Sequence, residues 1–385
     1  MIELRPGSFS NKGGELMARA TVGALGADVD VAVEPWIAPY AERARLGLHQ
    51  KLWVRRLGPA AGWPATLIPG PIRRRFGIVR DGDLTGVLDA SGFRYTDDDR
   101  YGPRSARELA TNAGRWRRQG TTLILLPQAL GPFERPDVRE PFLRALDAVD
   151  LVYVRDPVSA EHLARIAPGD PRIRLAPDFT IPLRGRRPDD LDTLVGGDPF
   201  VAIVPNDRMI ERTSPEVGAA YLGFLEGVIR DVVDLGLRPV LVIHESTRDR
   251  AFVDRLRPAL GADPRIVAMA DPILLKGILG AARLVIASRY HALISAMSEG
   301  VPVVATGWTH KYATLLESFG CPGQLLDPRA AADERRVALA PAVDGPTRTA
   351  MVDALRRHTA EHVDATERMW TEVRDALRIT GARSA

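Results

Sequence analysis

The chain has a single cysteine, Cys321, among 385 residues. One thiol excludes an internal disulfide and any cysteine-rich metal site. No apolar run approaches the ~18 residues that a membrane-crossing helix needs. The opening Met1-Ile2-Glu3-Leu4-Arg5 has no signal-peptide character, so the chain is expected in the cytoplasm, at most peripheral to the inner face of the membrane. Lysine is scarce too: only Lys12, Lys51, Lys276 and Lys311 occur, and arginine supplies the rest of the 52 basic residues. That bias reads as genome composition rather than phosphate recognition. The net charge is only +3 despite a pI near 9.1, which leaves no footprint for nucleic acid. Clusters such as Arg73-Arg74-Arg75 and Arg115-Trp116-Arg117-Arg118 read as solvated faces that could still attract an anionic substrate. No metal-ligand spacing is visible, so no metal or other cofactor is expected to be required.

What the chain does have is an ordinary globular composition, 45% hydrophobic and 26% charged, and length enough for two or three cores. Short β-rich apolar runs alternate with amphipathic stretches from end to end, the pattern of βα units around parallel sheets. Strands are expected at Ile2–Arg5, Val29–Val33, Thr85–Leu88, Thr122–Leu126, Leu151–Val154 and Ile173–Leu175. The polar stretch 183–190 and Gly196-Gly197-Asp198-Pro199 then mark a boundary. The pattern restarts with Phe200–Val204, Pro239–Ile243, Arg265–Met269, Leu284–Ala287 and Val301–Ala305, with a helix over Tyr221–Leu235. Thr347–Arg378 reads as one long amphipathic helix. The expected division is an N-terminal Rossmann-like domain over 1–185, a C-terminal one over 199–345, and a helix over 346–385. Two such lobes are expected to face a cleft, a favoured place for ligands.

Five loops follow strand ends in this scheme. Ser288-Arg289-Tyr290-His291 joins the run Leu284–Ala287 to a helix-like segment. It places a fixed cation and a proton carrier two residues apart, which suits an anionic substrate that must be protonated. An arginine that only salt-bridges and a histidine that is only a satisfied polar group explain that window about equally well. The loop Arg5–Glu15 is rich in glycine but lacks the G-x-G-x-x-G spacing of a dinucleotide site and any Walker A pattern. Asp89-Ala90-Ser91-Gly92 suits hydroxyl recognition or helix capping. Leu126-Pro127-Gln128-Ala129-Leu130-Gly131-Pro132-Phe133 is a stiff loop whose Gln128 could face a cleft or only shape a turn. Tyr153-Val154-Arg155-Asp156-Pro157-Val158-Ser159 again puts a cation where a strand yields to a helix.

Taken in order, these loops and Gly300-Val301-Pro302-Val303-Val304-Ala305-Thr306-Gly307-Trp308-Thr309-His310-Lys311-Tyr312 resemble the polysaccharide pyruvyl transferase family. The resemblance runs almost from the N-terminus to about Gly320, and the last two motifs are its specific part. It implies a GT-B-like fold and transfer of an enolpyruvyl-derived group from phosphoenolpyruvate to two hydroxyls of a sugar, giving a pyruvate ketal and phosphate. Family donor residues fall by motif on Arg289, His291 and Arg155. The further candidates for contacting the substrates are Asn11, Gly13, Gly14, Ser91, Gln128, Ser288, Tyr290, His310 and Lys311. Two positions depart from the usual pattern: Gly14 stands where many members have Asp, and Asp89-Ala90-Ser91-Gly92 where many have three glycines.

The chemistry fits the residue types. Phosphoenolpyruvate carries a carboxylate and a phosphate, and arginine binds either oxyanion bidentately while staying charged. His291 is the expected general acid for the methylene carbon, its imidazolium disfavoured by neighbouring arginines and favoured by the anionic donor. Asp89 is the candidate for acting on an acceptor hydroxyl. The partners expected are phosphoenolpyruvate and a carbohydrate acceptor, free or lipid-linked. The competing readings are a GT-B glycosyltransferase using a nucleotide sugar and a catalytically silent binding protein of the same fold.

Overall fold

A computed structural model describes residues 1–51, 67–97, 101–197, 199–244, 248–261 and 265–379. Among the described residues, 13 strands form two wholly parallel sheets. The first contains β1 (Ile2–Pro6), β2 (Val31–Val33), β3 (His49–Lys51), β4 (Ile78–Val79), β5 (Gly86–Ala90), β6 (Thr122–Gln128), β7 (Leu151–Val154) and β8 (Ile173–Leu175), in the order β4-β3-β2-β1-β5-β6-β7-β8. The second contains β9 (Phe200–Val204), β10 (Arg238–Ile243), β11 (Arg265–Ala268), β12 (Leu284–Ala287) and β13 (Val303–Ala305), in the order β11-β10-β9-β12-β13. The chain divides into Met1–Phe179 together with the residues from Ala365 on, and Thr180–Asp364. Among the described residues no helix is long and apolar enough to cross a membrane.

The central strands of each sheet are buried on both faces, as parallel strands must be when helices cover both sides, while the edge strand β8 is largely exposed. In β9, Phe200, Ala202 and Val204 pack into one core while Val201 and Ile203 pack into another. The same alternation runs through β10, with Val240 and Val242 opposite Leu241 and Ile243, and through β12, with Val285 and Ala287 opposite Leu284 and Ile286. This is the two-residue period of a strand written into a continuous apolar run.

Two strands carry no such signal. β3 reads His-Gln-Lys, and β4 is two residues long. Their place in the sheet is secured by charge: the fully buried Lys51 ammonium donates to Glu3 of β1 and lies 2.8 Å from Asp81. Arg5 of β1 donates to Glu108 at 2.7 Å, and its guanidinium stands 5.3 Å from the centre of the Trp116 ring.

The long C-terminal helix spans Pro346–Ala376. Its Leu355 enters the core of the second unit. Further along, the Trp370 ring meets Phe179 edge-on at 5.7 Å, and Glu372 accepts a hydrogen bond from Tyr153 at 2.8 Å, both within the first unit.

Candidate active site

In each sheet the chain leaves its first strand toward one side and later returns on the other. The switch points lie between β1 and β5 and between β9 and β12. Crevices outside the carboxyl ends of strands at such points are where open α/β sheets bind ligands.

At the second switch point stands Ser288-Arg289-Tyr290-His291. β12 ends at Ala287 and a helix begins at Tyr290, with Arg289 as its N-cap. Ser288 is buried and spends its polar atoms on its neighbours. Its hydroxyl meets Tyr221 Oη at 2.7 Å and also pairs with Thr306, while its carbonyl accepts from Asn206 Nδ2 at 2.9 Å and Tyr312 Oη at 3.1 Å. Ser288 thus ties the ends of β9, β12 and β13 together, so its side chain shapes the site from behind. Burial pushes the Tyr221 hydroxyl up to about 12, against the opposing hydrogen bonds from Ser288 and Asn206, and raises Tyr312 as well. Both phenols therefore act as neutral hydrogen-bonding groups.

Arg289 is 6% exposed, and its guanidinium is held between two carboxylates. It donates to the fully buried Asp249, and Asp207 lies 3.6 Å away. A guanidinium has five N–H donors in a planar fork, so anchoring on one edge is compatible with receiving an oxyanion on another. His291, half-buried in the first turn of the helix, sets its ring edge-on to Tyr290, with centroids 5.6 Å apart.

β13 pairs with β12, and the helix that follows it, His310–Ser318, also begins at the carboxyl edge. Its second residue, Lys311, sits in an aromatic cage. Its ammonium lies 5.5 Å from the ring centre of Tyr290, 5.7 Å from Trp308 and 5.4 Å from Tyr312. Three ring faces around one ammonium restrict a side chain that is otherwise among the most flexible. Two adjacent helix N-termini, one led by Arg289 and the other by His310 and Lys311, form an edge suited to anions.

In the first unit the expected residues divide differently. Arg155 follows β7, and its buried guanidinium pairs with Asp178 at 3.2 Å. Asp156 caps the next helix by accepting from Ser159 N at 2.8 Å, and it also accepts from the Ser159 hydroxyl at 2.9 Å. Ser159 Oγ in turn accepts from Leu130 N at 3.0 Å, so Val-Arg-Asp-Pro-x-Ser braces the loop after β6. Gln128 bonds inward, across to the loop after β5. It is fully buried, accepting from Ser91 Oγ at 3.1 Å and donating to the Asp89 carbonyl at 3.4 Å.

Asp89 is likewise fully buried. One oxygen accepts from Tyr95 Oη at 2.7 Å and the other from Ser91 N at 3.0 Å, so its carboxylate holds the β5 loop rather than reaching a hydroxyl outside. Asn11 caps the first helix by accepting from Gly13 N at 3.0 Å. Gly13 and Gly14 are buried, and a Cβ on Gly14 would lie 2.6 Å from the Gly7 carbonyl oxygen. The missing aspartate at position 14 thus has a steric reason.

Sequence reasoning missed Asp178, Asp207 and Asp249. Asp207 was within reach, because Asn206-Asp207-Arg208 directly follows an apolar run, as Arg289 does. Asp249 lies in a polar helix with no motif around it. Among the described residues no group of three or more His, Cys, Asp or Glu is placed to hold a metal ion.

Solved structures share this architecture. HepE of Anabaena, in complex with UDP-glucose, matches with a TM-score of 0.56 at 14% identity, over 97% of this chain and 99% of that one. A UDP complex of MnaA from S. aureus matches with a TM-score of 0.64 at 12% identity, over 100% and 98% of the two chains. A UDP-N-acetylglucosamine 2-epimerase, described as putative, from Listeria monocytogenes matches with a TM-score of 0.61 at 14% identity and the same coverage. These likenesses give the fold, which is GT-B-like. No curated protein matches in sequence. The family model for polysaccharide pyruvyl transferase matches residues 11–310, a span that runs from the Asn11 cap to His310 at the edge of the Lys311 cage. On that match, and with the Ser-Arg-Tyr-His loop at the second switch point, the chain belongs to the polysaccharide pyruvyl transferase family.

Proposed function

We propose that this protein transfers the enolpyruvyl-derived group of phosphoenolpyruvate to two hydroxyls of a saccharide, forming a pyruvate ketal and releasing phosphate. The observation that carries the reading is Arg289 and His291 on one strand-to-helix junction at a switch point, in a chain of this family. Around them, the helix N-termini after β12 and β13 and the caged Lys311 supply positive potential for a doubly anionic donor.

The steps follow from the donor's chemistry. His291 gives a proton to the methylene carbon, making a methyl group and an oxocarbenium centre at C2. One acceptor hydroxyl adds to C2 and loses its proton. The C2–O bond to phosphate breaks, and the second hydroxyl closes the ring as its proton leaves. The saccharide gains pyruvic acid less one water, and inorganic phosphate is the other product. Arg289 binds an oxyanion of the donor through its guanidinium fork, with Asp249 fixing the orientation of that fork. Arg155 is assigned to the donor by the family motif alone.

The test is phosphate release from phosphoenolpyruvate in the presence of saccharide acceptors, with mass spectrometry of the saccharide. A gain equal to pyruvic acid minus water is the expected product. A saccharide that gains a hexose from UDP-glucose and nothing from phosphoenolpyruvate overturns the proposal in favour of glycosyl transfer.

A further inference from the structure

The first unit has its own switch point, and none of the motif residues explains what lies there. Leu4, Arg5 and Pro6 at the end of β1, Glu34, Trp36 and Ile37 after β2, and Arg94 after β5 line a shallow opening whose enclosed space is only about 10 Å³. A space of that size takes about one water or one hydroxyl, so a ring would rest on the rim with a single hydroxyl inserted.

Two buried atoms on residues that line it lack hydrogen-bond partners among the described residues. One is an acceptor, Glu34 Oε1, on a side chain only 4% exposed. The other is a donor, Arg5 Nη1, on a side chain only 6% exposed. Each has its other end fixed: Glu34 Oε2 accepts from the Trp36 indole N–H, and Arg5 Nη2 donates to Glu108 at 2.7 Å. A buried donor and a buried acceptor left open cost stability in the free protein, and they gain their bonds only from a ligand or water.

The charges select the ligand. A phosphate or carboxylate would meet Glu34, and an ammonium would meet Arg5. A hydroxyl satisfies both, because it donates to one and accepts from the other. Beside them Trp36 is 47% exposed, a large apolar face held in place by its bond to Glu34. An indole face next to a carboxylate matches a ring with apolar C–H faces and hydroxyls around its edge. A carboxylate just past the second strand of a βαβ unit is also well placed to accept from a vicinal diol.

We infer that Glu34, Arg5 and Trp36 form a subsite for one hydroxylated sugar ring, seated on the Trp36 indole with a hydroxyl between Glu34 Oε1 and Arg5 Nη1. The inference rests on the saccharide-transfer reading above and names the first-unit residues that hold the acceptor or a neighbouring ring of it.

Saturation-transfer NMR on the full chain tests this with methyl β-D-glucopyranoside, methyl β-D-galactopyranoside and methyl α-D-mannopyranoside as probes, and with uridine and adenosine as competing diols. At least one glycoside is expected to bind. Trp36→Ala and Glu34→Gln should each weaken it by about tenfold or more, while Trp36→Phe keeps most of the binding. Trp36 is half exposed, so its replacement leaves the core intact. Absence of binding by all three glycosides overturns the subsite, as does binding that neither variant changes. A Trp36-dependent response to uridine or adenosine with none to the glycosides overturns the choice of a saccharide. A parallel titration with phosphoenolpyruvate separates the two claims: donor binding without glycoside binding removes the subsite and leaves the reaction, and the converse removes the reaction and leaves the subsite.

Discussion

The guanidinium of Arg289 rests against the carboxylate of Asp249, 40 positions earlier in the chain, and Asp249 is fully buried. The cation assigned to the donor is therefore also half of a buried ion pair. Replacing it removes a ligand contact and strands a charge at the same time.

Arg289→Ala should cost about 3–5 kcal/mol of stability, the usual result of leaving one partner of a buried pair alone. Arg289→Ala combined with Asp249→Asn should recover much of that loss, because the fully buried carboxylate is no longer left charged and alone, while Asp207 is partly exposed. Affinity for phosphoenolpyruvate should stay reduced in both, by about 1.5–3 kcal/mol for one lost charge-assisted contact. Denaturant melts and calorimetry separate the effects. A double variant with restored donor affinity would place Arg289 in the scaffold only.

His291→Ala should bind phosphoenolpyruvate nearly as well as the wild type and release phosphate at least ~10²-fold more slowly. The side chain is half-buried at a helix start, so the fold should survive. A variant turning over at close to the normal rate removes the general acid from the scheme.

Gly14→Asp would restore the residue that many family members carry at this position. Here it should destabilise the protein by about 1–3 kcal/mol, since the Cβ would meet the Gly7 and Ser8 carbonyl oxygens at 2.6 and 2.8 Å. An unchanged melting midpoint would show that the glycine loop yields without strain.

His362 lies on the C-terminal helix, 3.0 Å from the Ser318 carbonyl and edge-on to Phe319, and burial lowers its pKa. A base depressed in the folded state stabilises the fold while neutral in both states. That contribution is full above the unfolded value near 6.5 and is lost as pH falls through it toward the folded value. Between about pH 7.5 and 5.5 the wild type should therefore lose more stability than His362→Gln. Parallel denaturation series at the two pH values check this, and equal losses contradict it.

Much of the architecture was legible because each buried parallel strand is a short apolar run, as in Phe200–Val204 and Leu284–Ala287, whose bounds match those expected. β3 and β4 escaped because Lys51 satisfies its sheet position through Glu3 and Asp81 rather than through hydrophobic burial. The Ser-Arg-Tyr-His junction was legible for the same reason as its strand. The partners of Arg155 and Arg289 were not, since Asp178 and Asp249 reach them by folding and no local pattern marks an acid that will be buried. Gln128 and Asp89 left two readings open for the opposite reason: a polar residue at a strand end can look outward or bond inward, and only the fold shows it bonded inward.

The central claim is that the Arg289 site takes phosphoenolpyruvate and not a nucleotide sugar. Calorimetric titration of the full chain with phosphoenolpyruvate and, separately, with UDP-glucose tests it most directly, repeated on the Arg289→Ala, Asp249→Asn double variant. Saturable binding of phosphoenolpyruvate that falls at least about tenfold in the variant is expected, with no binding of UDP-glucose. Binding of UDP-glucose that depends on Arg289, with no heat from phosphoenolpyruvate, would contradict it.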